Sequence, residues 1–446
     1  MKQPLLPLTV LYLLIGITLR ASAQQTAVDF FESGIGKSKA GDFTGALQAF
    51  SMAITMNPEN SASYYNRGLA KANLKDHRGA ILDYDRAIEL NAKDAMAYLS
   101  RGVSKSKQDD DRGALLDFSR AIELNPDEPQ AYYNRGISRS RLEQYRGALA
   151  DFSKGIELDP ANVNLYYARG ITKQKLEDYS GSLADFTKVT EMTPKRSQAF
   201  TGRGISKVEL NDFNGAVADL NKAIELSPQD AEAFFYRGYA KGKLEDFKGA
   251  LADYDRSIAL KNDNYKAYYG RGFARGKLGD QKSAVQDFSQ AIEMGNSNND
   301  TKVVYSGRLS RATLDNLRNL VQEHDRINDL STERAEAYFS RGLSKKKQGD
   351  QKGAIGDLNK AIELNPTYAE AYFSRGLIKS AQGDQRGAIT DCNNAIKINP
   401  RYSEAFYVRG LIRHSLGDEN GGCLDLSKAG ELGYTPAYKV ISDFCN

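Results

Sequence analysis

Histidine and cysteine are nearly missing from this chain of 446 residues, with three of each. His77, His324 and His414 lie far apart in sequence, none beside the Cys or acid spacings of a metal site, so zinc centres are not indicated. A dominant charge is missing as well. Lys and Arg number 61 against 57 Asp and Glu, a net charge of +4, which creates no overall field toward nucleic acid or a membrane surface. Beyond the N-terminal segment no apolar stretch approaches the about 18 residues of a membrane span. Catalytic signatures are missing too: no phosphate-cradling loop occurs, Gly272, Gly276 and Gly279 have the wrong spacing for a dinucleotide fingerprint, and there is no nucleophile elbow, zinc helix motif or paired-carboxylate signature. Acidic pairs such as Asp83 and Asp85 recur along the chain, and an active site is not copied many times over.

Residues 1–23 read as a secretory signal. Lys2 supplies the positive start, Leu8 to Leu19 the apolar run, and Ala21-Ser22-Ala23 the cleavage site, so the mature chain is expected to begin at Gln24. An uncleaved N-terminal anchor is the alternative. No Cys follows the site, which argues against a lipid anchor, and the expected location is the periplasm or the cell exterior.

The rest of the chain repeats itself. An Arg-Gly step marks Gly68, Gly102, Gly136, Gly170, Gly204, Gly238 and Gly272, then Gly342, Gly376 and Gly410, at a spacing of 34; Gly34 lies one period earlier, and the gap from 272 to 342 holds two periods plus two residues. That makes twelve repeats, the ninth eroded. Within the repeat around Gly136, Tyr132, Tyr133, Ile137 and Leu142 stripe one segment, while Ala148, Phe152, Gly155 and Ile156 stripe a second. Each is an amphipathic helix. The turn falls near Glu143-Gln144, where other repeats carry Gly279-Asp280, Gly349-Asp350 or Gly383-Asp384, and Pro126, Pro160, Pro228, Pro366 and Pro400 close second helices.

The pattern Tyr132-x2-Arg135-Gly136-x2-Arg139, Ala148-x3-Phe152, Pro160 resembles the tetratricopeptide repeat, and the resemblance covers nearly all of residues 27–436. It implies an all-α, right-handed superhelical solenoid of about twelve helix-turn-helix repeats, whose first helices line a concave face that holds peptides or proteins. The expected organisation is a signal at 1–23, repeats 1–8 over 24–298, a divergent helical repeat 9 over 299–334, repeats 10–12 over 335–434 and a capping helix over 435–446.

Three positions that the family usually fills with apolar side chains are charged here. Arg precedes the marker Gly in ten repeats (Arg67 and Arg135, for example), Lys or Arg follows it by three (Lys71, Arg139), and Asp follows it by fifteen (Asp83, Asp151). Arg and Lys four apart would repel, whereas an antiparallel hairpin brings Arg and Asp level, so an interhelical Arg–Asp pair is expected in each repeat. In the first repeat Ser33 and Ala49 replace both partners. A ladder of anion sites is the other reading. The Gly-Ala step opening second helices, as in Gly79-Ala80, reads as small residues permitting close approach.

The residue three before each marker Gly should point into the groove: Tyr65, Leu99, Tyr133, Tyr167, Thr201, Phe235, Tyr269, Phe339, Phe373 and Tyr407, with Lys107, Arg141, Lys175, Lys243, Lys277 and Lys347 five after it. A groove so lined is aromatic and basic, its compensating acids elsewhere, and suits an acidic peptide or an anionic polymer. The plain alternative is that the rings pack between repeats and the cations are solvated. A carboxylate clamp of the kind some family members use is not assembled, because Asn66 and Asn134 are separated by a repeat carrying Ser100.

Two features stand outside the pattern. The ninth repeat, Asn296 to Leu330, lacks the Arg, the Asp and the Gly-Ala step; it reads as a hinge or partner-specific insertion, or as a drifted repeat bridging its neighbours. Cys392 occupies a slot that elsewhere holds Phe or Tyr, a buried inert thiol. Cys423 and Cys445 flank a turn at Gly433-Tyr434 and a helix begun by Pro436, so a disulfide clasping the cap is expected, with two free thiols as the alternative. The function expected is a protein-binding scaffold, not an enzyme, with no cofactor and no nucleic acid, and with a carrier of an anionic polysaccharide as the second reading.

Overall fold

The computed structural model describes residues 25–297 and 314–445, the side chains of 296–330 excepted. Every regular element among the described residues is a helix. Two compact units divide between Leu210 and Asn211. The first unit holds α1 (25–39), α2 (Phe43–Met56), α3 (Ser61–Asn73), α4 (His77–Leu90), α5 (Ala95–Ser106), α6 (Asp111–Leu124), α7 (Pro129–Arg141), α8 (Tyr145–Leu158), α9 (Val163–Lys175), α10 (Tyr179–Met192) and α11 (Ser197–Glu209). The second holds α12 (Phe213–Leu226), α13 (Ala231–Lys243), α14 (Phe247–Leu260), α15 (Tyr265–Lys277), α16 (Gln281–Ser297), α17 (Leu314–Lys347), α18 (Gln351–Leu364), α19 (Ala369–Ala381), α20 (Gln385–Ile398), α21 (Ser403–Ser415), α22 (Glu419–Glu431) and α23 (Pro436–Phe444).

Local chemistry starts and stops these helices at the predicted places. Most second helices begin behind an Asp whose carboxylate accepts the N–H of the Gly three residues on, as Asp76 does from Gly79 at 2.8 Å. The turn between helices needs one left-handed residue. Gly279, Gly349 and Gly383 supply it without strain, whereas Lys75, Asp109, Glu143, Glu177 and Glu245 are held at φ between +58° and +68°.

Odd-numbered helices are the first helices of repeats and even-numbered ones the second. Hairpins α3·α4, α5·α6, α7·α8 and α9·α10 stack in the first unit; α13·α14, α15·α16, α17·α18, α19·α20 and α21·α22 stack in the second, each second helix also packing on the next first helix. This is an all-α solenoid in each unit. The core of each layer is small residues around one ring or aliphatic side chain: Ala114, Ala121 and Ala131 surround Phe118, and Ala354, Ala361 and Ala371 surround Leu358.

The ninth repeat departs from expectation. Residues 298–313 lie outside the described residues, and α17 is a single helix of 34 residues whose last part is the first helix of repeat 10. That part packs directly on α15 and α16, so repeat 10 stacks on repeat 8 with no ninth layer between them. The reason is in the contacts. The Tyr269 hydroxyl lies 3.2 Å from Ser340 Oγ across 71 residues, and Arg341 donates to Ser289 Oγ at 3.2 Å, the same pairings that Tyr65 with Ser100 and Arg67 with Ser51 make across ordinary intervals. The segment Asn296 to Leu330 lacks the Arg, the Asp and the Gly-Ala step of the other repeats.

Candidate functional site

The charged positions are structural. Arg135 donates to both oxygens of the buried Asp151, and Arg139 reaches the same carboxylate at 2.6 Å. The arrangement recurs at Asp83, Asp117, Asp185, Asp253, Asp287, Asp357, Asp391 and Asp425, each taking the Arg before the marker Gly and the cation three after it. The expected repulsion between the two cations is therefore answered by one carboxylate between them. Each Arg also ties to the preceding second helix, as Arg101 does to Asp85 at 2.6 Å and Arg237 to Asn221 at 2.8 Å. It lies under the ring one turn earlier, Arg101 under Tyr98 at 5.4 Å. With all three guanidinium nitrogens hydrogen-bonded, as in Arg101 and Arg135, these arginines are joints of the stack rather than an anion ladder.

The two kinds of glycine have different causes. A Cβ on Gly68 would stand 2.6 Å from the Tyr84 ring, so the marker Gly exists to let the second-helix ring lie on the first helix. The Gly of the Gly-Ala step answers instead to its cap: a Cβ on Gly79 would meet the Asp76 carboxylate at 2.1 Å. Close helix approach at that step falls to the following Ala80, which is fully buried.

The predicted ring positions are half-buried and packed. Tyr65, Tyr133, Tyr167, Phe235 and Tyr269 meet the second-helix rings Tyr84, Phe152, Phe186, Tyr254 and Phe288 at centroid distances of 5.5 to 6.2 Å. In repeats 10 to 12 the second helix offers Leu358, Cys392 and Leu426, and the partner changes. Phe339, Phe373 and Tyr407 turn to Tyr368, Tyr402 and Tyr434 at the start of the following helix, 4.8 to 5.0 Å away. Ring contact is preserved by a substitution one layer on, a compensation that the sequence shows only once the layers are known. Burial raises the pKa of Tyr65 and Tyr269, so both hydroxyls stay protonated, that of Tyr65 accepting from Ser100 Oγ.

Lys107, Arg141, Lys175, Lys243, Lys277 and Lys347 are exposed, as solvated cations should be. They stand eight residues after the ring positions, and midway between lies a residue that the sequence pattern reads, at Ile137, only as part of the apolar stripe of the first helix. It follows the marker Gly directly and is apolar, and at Ile171, Tyr239, Phe273 and Leu411 it is 36 to 43% exposed. Lys243 lies over Tyr239 at 5.3 Å, and Lys277 over both Phe273 and Phe247. Arg141 is less free, donating to Ser106 and approaching Asp111.

The expectation that acids lie elsewhere fails in the second unit. Glu336, Glu370 and Glu404 are exposed on α17, α19 and α21, three residues before the rings Phe339, Phe373 and Tyr407. The corresponding residues of the first unit are uncharged: Ala62, Met96, Gln130, Asn164 and Gln198. Partial desolvation and then neighbouring Glu333 push the Glu336 carboxyl up, with Lys243 opposing them.

The C-terminal cysteines, Cys423 and Cys445, are joined in a disulfide, with Cα atoms 5.7 Å apart. It clasps α23, of which only Ala437 is buried. Cys392 is fully buried, and burial pushes its thiol up to about 12, which makes it a poor nucleophile. Among the described residues no group of His, Cys, Asp or Glu could hold a metal ion, and no helix is long and apolar enough to cross a membrane.

Family models agree with the geometry. A TPR repeat model matches residues 204–245 and 342–383, and two tetratricopeptide repeat models match 31–98 and 129–162, 265–297 and 369–402. No curated protein sequence matches the chain. Solved structures do: YrrB, described as a TPR protein with an unusual peptide-binding site, is 26% identical over 41% of this chain and 95% of its own, with a TM-score of 0.38. A tetratricopeptide repeat protein from Parabacteroides merdae is 20% identical over 56% and 99%, with a TM-score of 0.42. The Cut9-Hcn1 hetero-tetramer of APC/C gives 14% identity over 94% and 84%, with a TM-score of 0.44. With the 34-residue period, the helix hairpins and the matched models in hand, this chain belongs to the tetratricopeptide repeat family.

Proposed function

We propose that the chain is a non-enzymatic scaffold that binds a protein or peptide partner on the exposed face of its first helices. One observation carries the reading. The side chain after each marker Gly is apolar, and Ile171, Tyr239, Phe273 and Leu411 remain well exposed on a face whose neighbouring rings are already packed. Those residues are partly packed, Phe273 against Phe247 for example, yet each leaves more than a third of its apolar surface for a partner to cover. Flanking cations over rings, as at Lys243 and Lys277, are the mixed apolar and polar surface that interfaces use.

The first unit favours a second reading for its own face. Lys107, Lys175 and, in part, Arg141 stand there without acids at the facing position, which suits an acidic segment or an anionic polymer. Steep weakening of binding with salt and competition by a simple polyanion would favour the polymer. Export to the periplasm or cell exterior remains the proposed setting, supported by Lys2, the apolar run and Ala21-Ser22-Ala23. The test is affinity capture with the native chain and a Tyr239→Ala/Phe273→Ala/Leu411→Ala variant of equal helicity. A discrete partner retained by the first and lost by the second is expected. Equal retention by both would remove the first-helix face from consideration.

A further inference from the structure

Two registers of the first helix change together in repeats 7 and 8. The residue after the marker Gly is aliphatic in every other repeat that has the marker and aromatic only at Tyr239 and Phe273. The residue four after it is glycine only at Gly242 and Gly276, where other repeats carry side chains such as Ala72, Gln174 and Lys346. Packing does not ask for these glycines. Beyond the helix's own backbone, a Cβ on Gly242 would meet only Ala250, at 3.9 Å, and one on Gly276 would stand 3.8 Å from Ala284 and Gln281 and 3.9 Å from Ser344, with no ring atom nearer. Inside a helix glycine is less stable than alanine, so the fold gives up stability at both places. Bare backbone of this kind serves close approach by another group.

The surroundings of Gly276 point to what approaches. Gln281 donates through Nε2 to the Gly276 carbonyl at 2.8 Å, which fixes its amide, and Oε1, 3.8 Å from the missing Cβ, is buried with no hydrogen-bond partner among the described residues. Phe273 is 43% exposed and packs edge-on against Phe247, with Lys277 over both rings. Helix α15 carries no acidic residue; Asp287 takes Arg271 and Arg275, and Glu333 takes Lys266. Lys277 is therefore the cation of α15 that stands outside an ion pair among the described residues. Repeat 10, stacked here without a ninth layer, adds exposed Lys346 and Lys347 at the same end. Around Gly242 the charge is mixed, because Lys243 has Glu245 two residues on and acts on Glu336.

We propose that the bare backbone at Gly276 seats one aromatic side chain of an acidic partner segment, a tryptophan or tyrosine whose ring N–H or O–H donates to Gln281 Oε1, with Phe273 and Phe247 beside it and a neighbouring carboxylate on Lys277. This rests on the first-helix face being the binding face. Gly242 with Tyr239 repeats the arrangement one layer earlier without the unpaired acceptor. An aliphatic side chain at the Gly276 seat would leave Gln281 unpaired, which sets the preference for a ring that carries a donor.

The chain contains no tryptophan, so a tryptophan probe is seen without background. A synthetic peptide with one tryptophan between glutamates is titrated against the native chain, and its indole emission should shift to the blue on binding. Gly276→Ala should raise the urea midpoint, because the methyl group fits, yet weaken the peptide about tenfold, the lower end of what one methyl group decides in an apolar site. Leucine in place of the tryptophan, or a methyl group on the indole nitrogen, should weaken binding to the native chain. Absence of the blue shift, equal affinity of the native chain and Gly276→Ala, or equal affinity for the three peptides overturns the inference. The Tyr239→Ala/Phe273→Ala/Leu411→Ala variant separates it from the reading it rests on. Partner capture lost by that variant but kept by Gly276→Ala strikes the seat and leaves the first-helix face; capture kept by both strikes both.

Discussion

Two junctions in this molecule look different in sequence and alike in space. Between α3 and α5 the Tyr65 hydroxyl meets Ser100 across 35 residues; between α15 and α17 Tyr269 meets Ser340 across 71. Arg67 reaches Ser51 across 16 residues and Arg341 reaches Ser289 across 52. The side chains at the interface, not the length of chain joining them, define a layer. A third junction, between α22 and α23, ends the stack without an arginine joint, and there a covalent bond does the fastening.

The strongest challenge to this comparison is to remove its joints. Arg341→Ala and Arg135→Ala should each cost about 3 to 4 kcal/mol, because each leaves a buried carboxylate with one cation instead of two. Matched losses in urea midpoint are expected; a much smaller loss for Arg341 would mean that repeats 8 and 10 do not share a true junction. Next comes the terminal clasp. Cys423→Ser/Cys445→Ser should lose about 3 kcal/mol from the last repeat, seen as early hydrogen exchange confined to α21 to α23. If exchange there is unchanged, packing alone holds the cap.

An exchange of volume at one ordinary junction gives the third test. Gly155 stands where most other repeats have Ala, because a Cβ would lie 2.7 Å from Leu165, itself in a position that is Ala in most repeats. Gly155→Ala should cost about 2 kcal/mol, and Leu165→Ala in the same chain should recover part of it, a non-additivity that a double-mutant cycle measures. Additive losses would place the two residues out of contact. Smaller and opposite in sign, Glu143→Gly should gain about 1 kcal/mol by relieving a left-handed residue at φ +58°, with Gly279→Ala losing a similar amount. The smallest effect sharpens the comparison most. Gly272 and Gly342 are 70 residues apart, 36 more than the period of 34, and excision of residues 298–333 should change the stability of the second unit by less than about 1 kcal/mol. Unfolding of that unit on excision would give the segment a structural role.

How much of this was legible beforehand depends on the range of the interaction. The period, the two helices per repeat, the turn at Glu143 and the prolines that close second helices were readable because they rest on local sequence pattern, whereas the Asp caps behind the Gly-Ala steps were not read. The Arg–Asp pairing was reachable too, since a hairpin fixes which residues come level. That Asp151 also takes Arg139 was not, because helix spacing alone predicts repulsion between neighbouring cations. Among the predicted groove residues, the rings at Tyr65 and Tyr133 are packed, whereas the position after the marker Gly, read at Ile137 only as part of the apolar stripe, stays exposed at Tyr239 and Phe273. Sequence gives a helix face, but how far that face is covered depends on the next layer.

By itself the sequence determined that this protein is a stack of helix pairs, because caps, turns and the 34-residue period are local and repeat independently in every unit. Only the tertiary structure decided which repeats are neighbours and that Tyr368, Tyr402 and Tyr434 replace missing second-helix rings. Those outcomes depend on side chains far apart in the chain meeting at van der Waals and hydrogen-bond distance. No periodicity encodes such meetings, and close packing selects them.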